Sequence, residues 1–190
     1  DSLEDAEFVR EFCGARGIEF YGASADVPGE AARAGESLET AARRLRYAFL
    51  RRIAGALSEK YGMGENQEKL GRVVIATAHH RDDQAETVMM HLIRGTGLRG
   101  LGGIRCRQGD LVRPLLFASK RELAEYCRQR RLEPRHDATN DQADCFRNKL
   151  RLELLPLLAR EYNPALGDAL CQLADIAQAD EDYLRQAAEK

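Results

Sequence analysis

The chain has 190 residues, with 29 Lys and Arg against 31 Asp and Glu, and a net charge of −2 at pH 7. It has no run of the roughly 18 to 20 apolar residues that a membrane-spanning helix requires, and its acidic start does not resemble a secretory signal. Five scattered cysteines without a CxxC pair argue against a disulfide framework or a zinc site. We therefore expect a cytoplasmic protein of about one domain.

Two helices and a strand are predicted in the first third of the chain. Residues 4–17 place apolar side chains on one helical face, and a glycine near their end stops the helix. Residues 18–27 predict a short strand. Residues 35–62 repeat apolar side chains at helical spacing and predict a long helix with Ser37 as its N-cap.

The middle of the chain predicts a buried strand followed by a helix. After a polar loop over 62–71, residues 72–78 (RVVIATA) form a continuous apolar run typical of parallel sheets, and residues 83–94 predict an amphipathic helix. This alternation indicates an α/β fold with a Rossmann-like parallel sheet and flanking helices. In such sheets ligands bind beyond the carboxyl ends of the strands.

Glycines and prolines divide the remainder of the chain. Residues 95–103 predict a flexible glycine loop, residues 104–116 predict a short hairpin that turns at 108–110, and residues 119–132 predict a helix capped by Ser119. A helical segment follows, which ends in a long helix over 164–190.

Charge is unevenly distributed along the sequence. Residues 94–151 contain 14 Lys and Arg against 7 Asp and Glu, whereas the segments on either side are acidic. A basic block is usually a solvated face, but one that follows a group of candidate site residues makes a polyanion such as RNA a plausible partner.

Two histidines and three carboxylates crowd into residues 79–86, between the apolar strand and the amphipathic helix: His79, His80, Asp82, Asp83 and Glu86. The carboxylates can cap the helix, because Asp82 and Asp83 stand at its start and Glu86 is three residues after Asp83. They can equally provide a magnesium site, a base, or anionic hosts for a cationic substrate. The two histidines at the end of the strand favour the functional interpretation, although a metal-dependent phosphohydrolase would fit the same cluster.

A longer series of motifs resembles the tRNA(Ile)-lysidine synthetases, which are members of the PP-loop ATP pyrophosphatases. The matching stretches are TAHHRDDQAETVMMHLIRGTGLRGLGGI, VRPLL, SKRELAEYC, HDATN and FRNKLRLELLPLL, with AARRLRYAFL before them. They occur in order between Asp5 and Pro164. The resemblance implies an adenine nucleotide alpha hydrolase-like fold, incomplete here, in which residues 1–150 are a partial catalytic domain and residues 151–190 begin a helical tRNA-binding domain.

The same resemblance implies a reaction and its substrates. ATP would activate the wobble cytidine of tRNA(Ile) as an adenylated base, and the ε-amine of free lysine would displace AMP to give lysidine. Magnesium would offset the charge of the ATP phosphates. The residues implied in catalysis are His79, Asp82, Asp83 and Glu86, with Asp82 and Asp83 as the magnesium ligands. Either His79 or Glu86 would take up the proton of the lysine amine, or Asp83 and Glu86 together would hold its ammonium.

Binding residues are carried over in the same way. His80, Arg94, Gly95 and Gly97 would lie near the nucleotide or the incoming anticodon, although Gly95 also suits a helix C-cap. Arg147, Asn148 and Arg151 match an RNxxR stretch of the family and would grip tRNA phosphates.

One departure from the family pattern is the absence of its SGGxDS phosphate loop from these 190 residues. We expect the chain alone to be an inactive fragment, because that loop cradles phosphates with its backbone amides. We also expect an exposed sheet edge that favours a homodimer. Two alternatives stay open: a related PP-loop tRNA thiolation enzyme, which would usually carry a cysteine pair, and a non-catalytic RNA-binding module.

Overall fold

The computed structural model describes residues 2–61, 73–135 and 146–189. The predicted loop over 62–71, the HDATN stretch and Cys145 lie outside the described residues. The chain divides into two compact units, residues 1–75 and 76–190. None of the described helices is long and apolar enough to cross a membrane. The four described cysteines, Cys13, Cys106, Cys127 and Cys171, are free thiols.

The first unit consists of helices α1 (Ser2–Gly14), α2 (Val27–Ala34) and α3 (Leu38–Lys60). The predictions of α1 and α3 are confirmed. At the start of α3 the Ser37 hydroxyl accepts a hydrogen bond from the Thr40 N–H at 3.2 Å, which satisfies one of the unpaired donors of the first turn. Helix α2 packs against α3, and the buried side chains of these helices are Ala31 and Ala41.

The strand predicted over 18–27 is wrong. Residues 18–26 are irregular, and among the described residues no strand lies beside them to complete a hydrogen-bonded ladder. Helix α2 begins at Val27 instead. The Asp26 carboxylate caps it by accepting from the Gly29 N–H at 3.0 Å, and Pro28 occupies the first turn, where a missing N–H costs little.

Three short strands form a sheet in the order β1-β3-β2. They are β1 (Ile75–Ala76), β2 (Arg107–Gln108) and β3 (Leu111–Val112). The predicted hairpin is confirmed, because β2 and β3 are antiparallel with Gln108 opposite Leu111, and Gly109 turns between them at a φ of 62°. The fold mixes helices and strands, but the described residues form only this small sheet, and β1 is shorter than its apolar run predicted.

Helices make up most of the second unit. They are α4 (Arg81–Arg94), α5 (Leu98–Leu101), α6 (Lys120–Gln129), α7 (Phe146–Lys149), α8 (Leu155–Glu161) and α9 (Leu166–Ala188). The glycine loop predicted over 95–103 is therefore partly helical, since it contains α5. Helix α4 is central: its Val88 and Met89 pack with Leu150, Leu170 and Ala174 in one apolar core.

A π-helical turn, Leu150–Leu154, joins α7 to α8. The Leu155 N–H bonds to the carbonyl of Leu150, five residues back rather than four. Pro156 follows and has no N–H to continue the α-helical pattern. This wider turn leads the chain from the arginines of the FRNKLR stretch into α8.

Candidate active site

A capping box fixes the start of α4. The His80 N–H donates to Asp83 Oδ2 at 2.9 Å, and the Asp83 N–H donates to His80 Nδ1 at 3.4 Å. His80 and Asp83 therefore each have a local structural role. The helix starts at Arg81, two residues before its predicted start, with His80 as the N-cap.

Asp83 and Glu86 face two arginines that lie more than 60 residues further along the chain. Arg147 donates from Nε to Glu86 at 2.7 Å and from Nη2 to Asp83 at 2.8 Å. Arg151 donates to both Glu86 oxygens, at 2.5 Å and 2.9 Å, and its Nη2 lies 3.4 Å from Asp83 Oδ1. The spacings explain the geometry, because residues three or four apart share one face of a helix. We call these four residues the carboxylate–arginine cluster.

Burial makes this cluster unusual. Glu86 is only 2% exposed, and an isolated carboxylate at that depth would be strongly destabilising. Three N–H donors on its two oxygens satisfy it. In return, the hydrogen bond from Arg151 to Glu86 raises the pKa of Arg151, so this guanidinium stays charged. Two positive and two negative groups leave the cluster neutral.

The structure thus places two predicted pairs of residues differently from their expected setting. Asp83 and Glu86 meet each other as predicted, but both are already engaged by arginines. Arg147 and Arg151, expected to grip phosphates, hold these carboxylates instead. Their role toward tRNA stays a prediction, as does that of Asn148, which lies beside Arg147 in α7.

Asp82 points to a different neighbour from Asp83. Its Oδ2 accepts from the Lys120 N–H at 2.8 Å, at the start of α6, and lies 3.6 Å from His80 Nδ1. The Arg81 N–H bonds to the Ala118 carbonyl at 2.8 Å in the same junction. The start of α6 is therefore attached to the start of α4.

The two aspartates do not form an evident magnesium site. Mg²⁺ requires near-octahedral oxygen coordination. Both Asp83 oxygens accept hydrogen bonds from nitrogen donors, and Asp82 contributes a single carboxylate. Within residues 2–61, 73–135 and 146–189 no group of three or more His, Cys, Asp or Glu side chains is arranged to hold a metal. The two aspartates by themselves therefore do not complete a magnesium site, and their assignment as magnesium ligands stays a prediction.

A cavity of about 300 Å³ opens beside Glu86. One wall is apolar and one is charged. The apolar wall comes from Ala85, Leu155, Pro156, Ala159 and Leu166, and the charged wall from Arg81, Asp82, Glu86, Arg151 and Asp168. Three carboxylates against two guanidiniums give this wall a net charge of −1. We call this space the acidic cavity.

Arg81 and Asp168 close one side of the acidic cavity with an ion pair, Nη2 to Oδ1 at 2.9 Å. Both residues also line a second cavity of about 570 Å³. Arg113 lines that second space, is 5% exposed, and donates to the Arg105 carbonyl at 2.6 Å. The sequence did not indicate Asp168 as a site residue, because α9 lies more than 80 residues after Arg81 and their contact depends on the packing of the helices.

His79 lies at the end of the strand segment, half-buried. Its Nδ1 is 2.9 Å from the Thr77 hydroxyl oxygen. Thr77 is itself held to the sheet, because its N–H donates to the Val112 carbonyl at 3.0 Å. His79 is thus positioned by the sheet and not by the α4 cap.

The remaining predicted residues lie at the other end of α4. Gly95 is the C-cap, with a φ of 76°, and its N–H bonds to the Leu92 carbonyl. Gly97 begins α5, and the Arg94 guanidinium lies 5.3 Å from the centre of the Phe146 ring. Eight residues of helix separate Glu86 from Arg94, a rise of about 12 Å. Arg94, Gly95 and Gly97 are therefore not members of the carboxylate–arginine cluster, although Phe146 directly precedes Arg147 of that cluster.

A network of hydrogen bonds and ion pairs, which the sequence analysis did not predict, holds the turn after α5. Gln84, next to Asp83, accepts from the Ile104 N–H at 2.6 Å. Gln178 of α9 donates to the carbonyls of Gly102, at 2.5 Å, and Ile104, at 3.2 Å. Arg105 forms ion pairs with Glu181 and Asp182 at 2.7 and 2.9 Å. The turn is thereby fixed between α4 and α9.

Comparison with known proteins identifies relatives over most of the chain. A family model described as a PP-loop domain matches residues 1–158. A tRNA(Ile)-lysidine synthase of Clostridium acetobutylicum is 38% identical over 186 residues, which are 97% of this chain and 38% of that protein. Synthases of the same name from Symbiobacterium thermophilum and Bacteroides thetaiotaomicron are 44% and 38% identical, over 84% and 92% of this chain and 31% and 38% of theirs. The chain therefore spans less than two fifths of the length of these relatives.

Proposed function

The chain belongs to the PP-loop domain family, and from this premise we propose that its full-length gene product joins lysine to the wobble cytidine of tRNA(Ile) at the expense of ATP. ATP first adenylates the cytidine, and the ε-amine of lysine then attacks the activated base and releases AMP. Relatives named tRNA(Ile)-lysidine synthase that match 84–97% of this chain support the proposal. We propose that residues 1–150 belong to the catalytic domain and that residues 151–190 serve the RNA.

The acidic cavity is the structural observation that supports lysine as a substrate. Its volume of about 300 Å³ is at the lower end of small-molecule sites, a size suited to an amino acid. Free lysine carries a net charge of +1, which complements the charge of −1 on the cavity wall. Its aliphatic chain would lie on Leu155 and Leu166. An ammonium group would lie near Asp82 and Asp168, because Glu86 already accepts three hydrogen bonds, whereas the ion pair of Asp168 with Arg81 is exposed and can exchange for another cation.

The amine must lose a proton before it attacks. Its pKa of about 10.4 is roughly three units above neutrality, so deprotonation costs about 4–5 kcal/mol at pH 7. We assign the base to His79, since both Glu86 oxygens are occupied by guanidinium donors. In this proposal Glu86 and Asp83 position Arg147 and Arg151, and these guanidiniums would stabilise a phosphate or the developing charge of the adenylate.

ATP is the second substrate in this proposal. His80, Arg94, Gly95 and Gly97 stay assigned to the nucleotide or the incoming anticodon, and Arg147, Asn148 and Arg151 to the tRNA. Because Arg94 and the glycines lie about 12 Å or more beyond Glu86 along α4, we favour the RNA over the reacting phosphate as their partner. Magnesium would arrive with the ATP phosphates, since protein sites commonly share it with them.

Nucleoside analysis tests the proposal directly. The full-length gene product would be incubated with ATP, labelled lysine and a tRNA(Ile) transcript that has cytidine at the wobble position. We expect ATP-dependent incorporation of label and recovery of lysidine after digestion. Incorporation of sulfur, or no incorporation of lysine, would contradict the proposal.

Substitution tests the assigned residues. Asp83→Asn together with Glu86→Gln should reduce lysine incorporation by about 10²-fold or more, because both changes release the arginines from their partners. Glu153→Gln on the exposed side of the π-turn is the control and should leave the rate unchanged. Normal activity of the double variant would refute the site.

A further inference from the structure

Helix α6 extends away from the candidate active site and ends in a group of arginines. Its start is attached to the site, because the Lys120 N–H donates to Asp82 at 2.8 Å. Ten helical residues give it a length of about 15 Å. Its far end therefore lies at a fixed distance from Asp82. None of its residues is fully buried, so it is a peripheral element.

Arg128, Arg130 and Arg131 lie at the far end of this helix and Arg121 lies in its first turn; all four are exposed. With Tyr126, which is 53% exposed, they form what we call the α6 arginine cluster. The Arg130 guanidinium lies 5.5 Å from the centre of the Tyr126 ring, a cation–π arrangement that presents both groups on the surface. Arg128 pairs with Glu125, but its side chain is 75% exposed, and such a pair exchanges readily for another anion.

Arg131 adopts a strained backbone conformation that a glycine would adopt without strain. Arg131 has a φ of 52°, and among the described residues it is the one non-glycine residue with a positive φ. It closes α6, since the next N–H, of Leu132, bonds back to the Cys127 carbonyl at 2.9 Å. Glycine is the usual residue at this position because it has no Cβ to strain the turn. An arginine there is unfavourable for the turn and adds a positive charge to the exposed end.

We propose that the α6 arginine cluster contacts the phosphate backbone of the RNA substrate, outside the nucleotide that reacts. The inference rests on the proposed function, because it takes RNA as the partner. Phosphate contacts by exposed arginines give affinity and register without reading sequence. The length of α6, about 15 Å, corresponds to about four nucleotides of a stacked strand at a rise of about 3.4 Å each along its axis. Tyr126 adds a ring on which a base or sugar can rest.

Salt-dependent binding tests the proposal. The full-length gene product with Arg128→Glu, Arg130→Glu and Arg131→Glu would be titrated against a fluorescent tRNA(Ile) transcript at several KCl concentrations, without ATP or lysine. We expect the dissociation constant to rise about tenfold or more at 0.1 M salt. The slope of log K against log salt should fall by about 2 to 3, because each lost phosphate contact removes roughly 0.7 to 0.9.

A matched variant controls for net charge. Arg10→Glu, Arg33→Glu and Arg52→Glu change the total charge by the same amount on exposed positions of α1, α2 and α3. We expect this control to keep the salt slope of the unaltered protein. An equal loss in both triple variants would overturn the proposal, since the effect would then belong to overall charge.

Arg131→Gly separates binding from folding. Glycine relieves the positive φ, so the variant should melt at the same or a higher temperature while its affinity for the transcript falls about two- to fivefold. Unchanged affinity in this variant and in the triple variant would overturn the proposal. Each variant would also be titrated against poly-glutamate. If the substitutions weaken binding to poly-glutamate but not to the transcript, the proposal is overturned, because the cluster would then recognise an acidic protein segment.

The readouts distinguish this inference from the proposed function. Absence of lysidine formation by the unaltered protein contradicts the function but does not alter the binding comparison. An unaltered salt slope in the triple variant contradicts the RNA contact even if the enzyme makes lysidine. If both proposals hold, the triple variant should need more tRNA to reach half its maximal rate, with an unchanged rate at saturation.

Discussion

Glu86 and Arg151 are joined by two hydrogen bonds, with Nε 2.5 Å from Oε1 and Nη2 2.9 Å from Oε2. They lie 65 residues apart and connect α4 to the π-turn that precedes α8. The pair is both a structural tie and part of the candidate active site. Because a buried carboxylate is costly when unpaired, and a partly buried guanidinium is costly when its partner is removed, the two residues depend on each other.

Removing the Glu86 carboxylate should destabilise the protein. We expect Glu86→Ala to lower the free energy of unfolding by about 2–3 kcal/mol, less than for a fully buried pair because Arg151 is partly exposed. Urea unfolding would measure this change. Glu125→Ala, which removes the partner of the exposed Arg128, is the control and should have little effect. A similar small effect for Glu86→Ala would show that the cluster does not hold the unit together.

The acidic cavity makes a prediction for lysine. Asp168→Asn should raise the KM for lysine about tenfold, since a hydrogen bond to a charged group contributes about 1.5–3 kcal/mol, and should leave the KM for ATP unchanged. Asp175→Asn is a matched control on the same face of α9 that lines only the second cavity. An equal effect from both substitutions, or a change in the KM for ATP alone, would count against lysine in this space.

Gly103 tests the turn between α4 and α9. Its φ is 57°, and an added Cβ would lie 2.6 Å from Gln84 Oε1 and 3.0 Å from Val88. We expect Gly103→Ala to lower stability by about 2–4 kcal/mol, from the left-handed backbone and from crowding together. Gly109→Ala has a similar φ, 62°, with open space around it, and should cost only about 1–2 kcal/mol. Equal melting temperatures for the two variants would mean that the turn adjusts.

Acid stability should depend on Asp182. Its hydrogen bond from Arg105 lowers the pKa of this carboxyl. A lowered folded-state pKa means that the stabilisation is fully present above the unfolded value of about 3.9 and is lost as the pH falls through the folded-state pKa. In Asp182→Asn the melting temperature should be lower near neutrality and should change less between pH 6 and pH 2. If the melting temperatures of the unaltered protein and of Asp182→Asn fall in parallel between pH 6 and pH 2, this prediction is contradicted.

Local signals predicted most of the helices. Ser37 and Ser119 cap α3 and α6 as expected, since a cap needs only residues within one turn of each other. The hairpin around Gly109 was predicted for the same reason. The strand over 18–27 failed because a strand needs a neighbour that the local sequence does not specify. Helix α2 was missed although Asp26 and Pro28 are a recognisable start signal.

The sequence predicted which residues belong to the candidate site, but not which of them pair with each other. The crowding of Asp83 and Glu86 was evident from the sequence, and so was the basic character of Arg147 and Arg151. Their pairing was not, because it depends on how α4 and the π-turn pack. Arginines read alone predict phosphate binding, whereas in the folded chain they lie against carboxylates.

The π-turn over Leu150–Leu154 holds one residue more than an α-helical turn would. That extra residue sets the angle about the helix axis between Arg147, upstream of the turn, and the apolar side chains of α8, downstream of it. Excising a single residue from it would wind the segment back by about 100°, the rotation of one helical residue. Either Leu155 and Leu158 would then lose their contact with the core, or Arg147 would lose its hydrogen bond to Glu86. The shortened segment could not keep both sets of contacts.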